Sequence, residues 1–240
     1  SSDLYEATQF IDCSGDGWLG YYARAKYRVG REAKHEYGES MAPEVADKIT
    51  MSGCLMGDGL AFRAEDTGTP VAYTPPPWTP KLPEGKAFGR NIRRLNSGEW
   101  WIETPGDLDD VVDAEQVRDE LIKLSFAYWD YLKNGWHERE QASTWDLVAI
   151  PIYNAKRESR RFMGDYVLTE QDCLSGRTFP DTVAHAGWPL DVHHPEGLFS
   201  GEEGPFQRNT HVPLVKLPYR ILYSANVDNL LFAGRVVSVT

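Results

Sequence analysis

The sequence predicts an α+β fold in which a mixed or antiparallel sheet packs against one long helix. Two observations predict it. The middle of the chain carries one strongly periodic helical segment, and the rest carries short apolar runs bounded by glycine, proline and asparagine, which are typical of short strands. With 240 residues, the chain is long enough for one large domain or two small ones.

The first element is a predicted strand at residues 8–12. It leads into a glycine turn that contains Gly15, Asp16 and Gly17, and then into a helical stretch at residues 18–25. A strand, a glycine turn and a helix in this order can bring backbone N–H groups up to a ligand. The same order is also common in plain connections without a ligand, so both interpretations stay open here.

Further strands are predicted at residues 48–54, 60–64, 99–103 and 147–153, and residues 70–83 are proline-rich and predicted to be extended. The long helix lies between the last two strands. Its start is predicted as a capping box of Asp113 and Gln116, and its end at Asn134-Gly135. Its buried face is predicted from helical spacing to comprise Val117, Leu121, Leu124, Tyr128 and Leu132.

The last apolar run, residues 230–233, is bounded by polar residues and by Gly234, which fits a short strand buried on both faces. Gly234 allows close backbone approach to a ligand, and Arg235 beside it suits a phosphate or another anion. Because the chain stops soon after this pattern and does not begin with Met, we expect it to be part of a longer protein.

Composition excludes several classes of function. The formal net charge is −11, from 36 acidic and 25 basic residues, which argues against nucleic acid and anionic membranes as partners. No apolar run has the length of a membrane span. The three widely spaced cysteines, Cys13, Cys54 and Cys173, predict reduced thiols and contain no C-x-x-C redox pair. A cytoplasmic location is favoured, and an exported parent protein is not excluded.

A cationic run follows the strand at 147–153. Four cations and one carboxylate fall within six residues, namely Lys156, Arg157, Glu158, Arg160 and Arg161. Most such runs are solvated surfaces or ion-pair networks. Apolar residues flank this run on both sides, however, and a buried guanidinium needs a partner, which an anionic ligand would supply.

Histidines form a second group of candidate residues. His185, Asp191, His193 and His194 lie within ten residues, a set that could hold a metal ion. Adjacent residues of a strand point to opposite faces, so only Asp191 and His193 share a face. No metal site is therefore predicted, and His193 is the candidate for moving a proton, with a structural role as the alternative.

Several segments together resemble a bacterial family of FAD-dependent oxidoreductases of the glutathione-reductase-like class. The matching segments are FIDCSGDG at residues 10–17, ESRR at 158–161, GDYVLT at 164–169, DVH at 191–193 with PEG at 195–197, PYR at 218–220, and NLLFAGR at 229–235 with Ser238. They follow the family's order along the chain. They leave residues 30–145 largely unmatched.

The resemblance implies FAD as the cofactor and hydride transfer between an unidentified small-molecule substrate and the flavin. It implies cofactor contacts at Gly15, Asp16, Gly17, Gly234, Arg235 and Ser238. It implies catalytic or substrate contacts at Arg160, Arg161, His193, Tyr219 and Arg220. One of the two arginines is expected to stabilise negative charge on the reduced flavin.

The resemblance also implies a division into flavin-domain fragments at residues 1–29 and 227–240 and a substrate domain at 30–226. The family's amino-terminal G-x-G-x-x-G motif is expected to be absent: neither Gly15 with Gly17 nor Gly53 with Gly57 and Gly59 is interpreted as that motif. We therefore expect the rest of the flavoprotein chain to be needed for FAD binding.

A carbohydrate-binding or carbohydrate-processing module is the alternative. The chain has eight tryptophans and twelve tyrosines, which suit stacking on sugars. The platform would comprise Trp78, Trp100, Trp101 and Trp188. The two hypotheses differ in one respect, because a flavin fold requires the strands at 8–12 and 230–233 to lie side by side.

Overall fold

The computed structural model of the chain describes residues 3–45, 57–85, 88–157, 160–200 and 206–240. The strands within these residues are, in chain order, β1 Phe10–Asp12, β2 Tyr27–Arg28, β3 Arg63–Asp66, β4 Trp145–Ala149, β5 Arg161–Phe162, β6 Thr182–Ala186, β7 Leu190–His193, β8 Phe206–Thr210, β9 Val215–Pro218 and β10 Leu230–Phe232. The α-helices are α1 Trp18–Tyr22, α2 Lys34–Tyr37, α3 Ala114–Asp130 and α4 Glu170–Ser175. Short helices and small sheets of this kind confirm the α+β class.

Backbone packing divides the chain into two units. Unit 1 comprises Ser1–Gly53, Glu158–Leu190 and Asn209–Thr240, and unit 2 comprises Cys54–Arg157 and Asp191–Arg208. The predicted domain boundaries, at residues 29/30 and 226/227, stay a prediction. The strand predicted at 48–54 lies outside the described residues.

The described residues of unit 1 include three two-stranded sheets. β1 and β10 pair in parallel, whereas β2 pairs with β5, and β6 with β9, in antiparallel fashion. The rings of Phe162 on β5 and Phe232 on β10 stack at 4.6 Å between centroids, and both are buried. A second buried cluster, which includes Phe179 and Ile221, packs under β9. The first cluster fixes the part of unit 1 that carries the glycine turn.

Unit 2 is organised around α3. The face predicted from helical spacing is buried along its whole length: its five apolar positions are at most 2% exposed. The helix continues into a π-helical turn, Tyr131–Gly135, and ends there as predicted. The capping box is wrong, because the Asp113 carboxylate accepts a hydrogen bond from the backbone N–H of Asp109 instead of capping the helix.

The strand predictions in unit 2 are partly right. β3 pairs antiparallel with β4, at positions shifted from the predicted 60–64 and 147–153. The strand predicted at 99–103 is wrong: this segment turns, and Glu103 alone forms an isolated bridge with Gly59. The proline-rich residues 70–83 have no helix or strand, as predicted. β7 and β8 also pair with each other.

Candidate functional site

Strands β1 and β10 lie side by side in unit 1. Their register pairs Phe10 with Leu230, Ile11 with Leu231 and Asp12 with Phe232. The pairing extends past the strand ends, because the N–H of Ala233 donates to the carbonyl of Asp12 at 3.0 Å. The turn that follows β1 and the turn that follows β10 therefore lie together, which is the arrangement that the flavin hypothesis requires.

A buried carboxylate closes the turn after β1. Asp12 is 1% exposed, and its side chain accepts hydrogen bonds from the N–H of Ser14 at 3.0 Å, the hydroxyl of Ser14 at 2.6 Å and the N–H of Gly20 at 2.8 Å. The Ser14 hydroxyl in turn accepts from the N–H of Trp18 at 2.9 Å. The turn is thus held by its own side chains, and several of its N–H groups are satisfied internally.

The glycines of this turn have the spacing G-x-G-x-x-G. Gly15, Gly17 and Gly20 fit it, so the expectation that the chain lacks the motif is wrong. Gly15 and Gly17 have φ angles of +80° and +70°, which favour glycine. A Cβ on Gly17 would lie 2.8 Å from the ring of Phe162, and one on Gly20 would overlap that ring. These two glycines make room for Phe162, and they do not fit a pyrophosphate cradle.

The turn after β10 is more open. Gly234 has a φ angle of +85°, and no heavy atom lies within 4 Å of the position its Cβ would take. The Arg235 guanidinium donates to the Asp16 carboxylate at 2.9 Å, while its Nε is buried and has no acceptor among the described residues. The buried hydroxyl of Ser238 is likewise without a hydrogen-bond partner in the described structure. Unpartnered buried donors that follow an open glycine along the chain fit a polar group of a ligand.

Arg160 is a buried cation held by aromatic rings. Its guanidinium carbon lies 4.2 Å from the ring centroid of Tyr21, 4.6 Å from that of Trp18 and 5.7 Å from that of Tyr27. Its Nη1 donates to the carbonyl of Asp16 at 2.8 Å. No carboxylate in the described part of the chain pairs with it, so its charge is balanced by ring faces and a backbone dipole alone.

Arg161 is held in the opposite way. Its guanidinium pairs with the carboxylate of Glu32 at 2.9 Å and donates to the carbonyls of Gly30 and Val239. Both side chains of the pair are less than a tenth exposed. Arg161 therefore joins three segments of unit 1 through an internal ion pair.

Tyr219 and Arg220 lie in a short 3₁₀ helix, Tyr219–Ile221, also in unit 1. Arg220 makes a two-point contact with the Asp181 carboxylate, at 3.0 and 3.3 Å, and its guanidinium stacks over the ring of Tyr166. Tyr219 is 44% exposed. Of the two predicted substrate contacts, Tyr219 is the more accessible, and Arg220 is already paired.

His193 lies at the end of β7, in unit 2, and is buried. Its Nδ1 is 3.0 Å from both carboxylate oxygens of Glu103, and its Nε2 is 3.2 Å from an oxygen of Asp191. The prediction that Asp191 and His193 share a face is confirmed by this contact. Burial by itself would lower the pKa of His193, but hydrogen bonds and charges from Glu103 and then Asp191 outweigh it, so the pKa is raised.

Two further residues complete this cluster. The Arg157 guanidinium pairs with Glu103 at 3.0 Å and donates to the carbonyl of Trp100 at 3.1 Å. The indole of Trp100 packs on the His193 ring, with 4.9 Å between the ring centroids. Glu103, Arg157, Asp191, His193 and Trp100 are called the His193 cluster below.

The other predicted histidines do not join this cluster. His185 is exposed on β6 of unit 1, and His194 accepts a hydrogen bond from the N–H of Glu196. Within the described ranges, no group of three or more His, Cys, Asp or Glu side chains is arranged to hold a metal ion. Both ring nitrogens of His193 face carboxylates.

Three of the four tryptophans proposed as a sugar platform pack against other side chains, whereas Trp188 is 75% exposed. Trp101 is 3% exposed and belongs to the core of unit 2, Trp100 packs on His193, and Trp78 packs edge-on against Phe126. An open groove of about 380 Å³ in unit 2 is lined by apolar residues of α3, of β4 and of the position after it: Ile122, Phe126, Leu147, Val148, Ala149 and Ile150. Neither feature offers the opposed carboxylates that a glycosidase needs.

The comparison with protein families decides between the two hypotheses. Residues 2–240 match the family model described as FAD dependent oxidoreductase. The chain belongs to this family. It is therefore an oxidoreductase, and FAD is its cofactor. No curated protein and no solved structure matches it. The family match gives no support to a bacterial origin, to the glutathione-reductase-like subtype or to the carbohydrate alternative.

The residues after β10 fit FAD better than those after β1 do. Gly234, Arg235 and Ser238 offer an open backbone position and unpartnered buried donors, which suit the phosphate or ribityl oxygens of the cofactor. The space beside Gly17 and Gly20 is filled by the ring of Phe162.

In the described part of the chain, no helix combines the length and the apolar character of a membrane span.

Three residues that hold candidate site residues in place were not themselves predicted as site residues. Asp12 closes the glycine turn, and Glu103 and Arg157 hold His193. Asp12 lies within the matching segment at 10–17, and Arg157 lies in the cationic run, so both carried a signal. Glu103 carried none, because nothing in its neighbourhood separates it from the other 35 acidic residues.

Proposed function

We propose that this flavoenzyme transfers a hydride between a carbon atom of a small organic substrate and FAD. The parallel pairing of β1 with β10 is the observation that supports the proposal most, since it joins two distant turns that a sugar-binding module would not need. When bound, FAD supplies a two-electron acceptor or donor at its ring system. The substrate is a small molecule that carries an oxidisable or reducible bond.

The cofactor contacts belong, in this proposal, to the turn after β10 and to Asp16. The Arg235 guanidinium would donate its unpartnered Nε–H to an oxygen of the cofactor, and Ser238 would donate its unpartnered hydroxyl. Asp16 holds Arg235 in place through their 2.9 Å ion pair. Gly15 leaves space for the Arg235 guanidinium in this ion pair, because a Cβ at position 15 would lie 2.9 Å from Nη2 of Arg235. Gly17 contributes indirectly, by admitting Phe162.

Of the two adjacent arginines, Arg160 is the candidate for stabilising negative charge on the reduced cofactor. Its cation has no carboxylate partner among the described residues, so it is available to an anion. Arg161 is neutralised by Glu32 and serves the fold of unit 1.

On the substrate side, His193 is the candidate for moving a proton, because it is the buried histidine with a complete set of partners. Tyr219 is the candidate for direct substrate contact. Arg220 would support it, since its pairing with Asp181 fixes the short helix on which both residues lie.

The test is a visible absorption spectrum of the protein after incubation with FAD and removal of free cofactor. We expect the wild type to retain flavin absorption, and Arg235→Met to weaken FAD binding at least tenfold, through loss of a charged hydrogen bond worth about 1.5–3 kcal/mol. Arg63→Met is the control, because Arg63 is exposed on β3. Equal binding by Arg235→Met and wild type would exclude Arg235 from the cofactor site. A wild type that retains no flavin would contradict the assignment of the cofactor site to this chain's turns.

A further inference from the structure

Both ring nitrogens of His193 face carboxylate oxygens. Nδ1 lies 3.0 Å from each oxygen of Glu103, and Nε2 lies 3.2 Å from Asp191. A neutral imidazole carries one N–H donor and one acceptor nitrogen, so one of these contacts would place a lone pair against a carboxylate. Only the doubly protonated ring satisfies both contacts with donors.

The charges next to the ring favour the same state. The two ring nitrogens lie between the carboxylates of Glu103 and Asp191. Loss of the imidazolium proton would remove the cation between these carboxylates and leave a nitrogen lone pair facing one of them. Repulsion between that lone pair and the carboxylate opposes the loss.

We propose that Glu103, Arg157 and Asp191 hold His193 as an imidazolium at neutral pH, so that it acts as a proton donor and Glu103 and Arg157 are positioning residues. The donor role rests on the proposed function above. The protonation state rests on the geometry of the His193 cluster alone.

The two ends of the ring differ in access. The side chains of His193 and Glu103 are each 3% exposed, so the Nδ1 end is sealed. The Asp191 side chain is 21% exposed. The proton that exchanges is therefore the one on Nε2, and Asp191 is the group through which it would be replaced from solvent.

The backbone fixes the position of Glu103 relative to the turn that follows His193. Gly197 has a φ angle of +55°, and a Cβ there would lie 2.5 Å from the carbonyl oxygens of Glu103 and Thr104. The N–H of Leu198 donates to the Glu103 carbonyl at 3.0 Å. A side chain at position 197 would therefore push Glu103 away from its place beside His193.

The neighbouring groups are consistent with a stable imidazolium. Arg90, which is buried, interacts with Glu103 but is bonded to the Gly197 carbonyl and the Ser200 hydroxyl, so it does not replace Arg157 at the carboxylate. Trp100 covers one side of the ring and brings no charge. The pKa of His193 is raised despite burial, mainly by Glu103.

Nitrogen-15 NMR of histidine-labelled protein, titrated from pH 5 to pH 10 without substrate, tests the protonation state. We expect both nitrogens of His193 to give protonated-type shifts at pH 7, with a pKa raised above the ordinary value for histidine. In Glu103→Gln the His193 pKa should fall by at least about one unit, a tenfold change in the protonation equilibrium. Asp191→Asn should lower it by less. An unprotonated ring nitrogen at pH 7 in the wild type would overturn the proposal.

A matched pair of glycine variants covers the case in which Glu103→Gln does not fold. Gly197→Ala and Gly68→Ala both place a side chain at a positive φ angle, but nothing lies within 4 Å of the Gly68 position. Gly197→Ala should lower the His193 pKa, and Gly68→Ala should leave it unchanged. An equal His193 pKa in both variants would contradict the positioning role of Glu103.

The pH profile of the FAD-loaded enzyme tests the donor role separately. The value of kcat/KM should fall at high pH with the pKa that NMR gives for His193, and that limb should move to lower pH in Glu103→Gln and in Gly197→Ala. A profile without this limb would overturn the donor role. Because the NMR titration needs no flavin, failure of FAD binding and failure of the imidazolium state are distinguishable.

Discussion

Two buried cations, Arg160 in unit 1 and His193 in unit 2, are held by different means. In unit 1, Arg160 is surrounded by aromatic rings and one backbone carbonyl, with no carboxylate from the described residues. In unit 2, His193 lies between two carboxylates, one of which also binds Arg157. A cation without a counter-ion is ready to attract an anion, whereas a cation between two carboxylates is set to keep its proton. Burial alone therefore does not determine the role of a charged side chain, because the partners of the charge differ.

The largest expected effect sharpens this comparison within unit 1. Arg161→Met should lower the free energy of unfolding by about 3 kcal/mol, because it leaves the buried Glu32 carboxylate with only the longer 3.8 Å contact to the half-exposed Arg28. Arg160→Met should cost less, about 1–2 kcal/mol, since it removes cation–π contacts and one hydrogen bond but strands no carboxylate. Chemical denaturation of the two variants measures the difference. Equal losses of unfolding free energy would mean that the ion pair with Glu32 does not make Arg161 more important for stability than Arg160.

The second prediction concerns the glycine turn that supports Arg160. Gly20→Ala should lower the free energy of unfolding by about 1–3 kcal/mol, because the new methyl group would overlap the ring of Phe162. Gly187→Ala is the control in the same unit, since a Cβ there would meet only Leu214, at 3.8 Å. If both substitutions have the same effect on stability, Gly20 is not needed to seat Phe162.

The third prediction concerns the pKa of a buried carboxylate in unit 1 that has several hydrogen-bond donors, Asp172. Burial would raise the pKa of Asp172, but hydrogen bonds from Tyr166, from Thr169 and from Arg177 outweigh it and lower the pKa. Asp172 therefore stabilises the fold above its unfolded pKa, and this contribution is lost as the pH falls through the lowered value.

Asp172→Asn should accordingly lower the free energy of unfolding by about 1 kcal/mol at pH 7, part of it through the capping box at α4. The difference from the wild type should shrink as the pH falls below 4. Asp107→Asn, at an exposed position, is the control. A difference that stays constant down to pH 2 would contradict the lowered pKa.

The smallest effect is expected at the surface. Arg63 and Glu65 form an ion pair on β3, but their side chains are 70% and 54% exposed. A double-mutant cycle with alanine should give a coupling energy below about 0.5 kcal/mol. A coupling above about 1 kcal/mol would show that pairing, and not burial with pairing, sets the strength of such contacts in this protein.

Sequence patterns predicted those features that depend on local spacing. The apolar period of α3 identified its buried face, and the apolar runs at 8–12 and 230–233 identified β1 and β10. Their pairing followed from the resemblance to the flavoenzyme family. The cationic run identified Arg160 and Arg161 as candidates, but no local pattern tells which of the two meets a carboxylate.

Features that depend on distant contacts could not be predicted. Glu103 meets His193 across 90 positions, and no local pattern marks it among the acidic residues. The capping box at Asp113 failed because a competing donor, the N–H of Asp109, takes the carboxylate. The need for glycine at position 20 comes from the ring of Phe162, which lies far away in the sequence and cannot be inferred from the neighbours of Gly20.

The joining of the two turns in unit 1 also bears on how the chain reaches its fold. The ion pair of Asp16 with Arg235 connects residues 219 positions apart, whereas most of unit 2 is one continuous stretch, Cys54–Arg157. Contacts between distant residues form slowly, because the loop entropy is lost before the contacts compensate for it. In pulsed hydrogen exchange during refolding, the amides of α3 should therefore gain protection before those of β1 and β10, so the turns that follow these two strands form late.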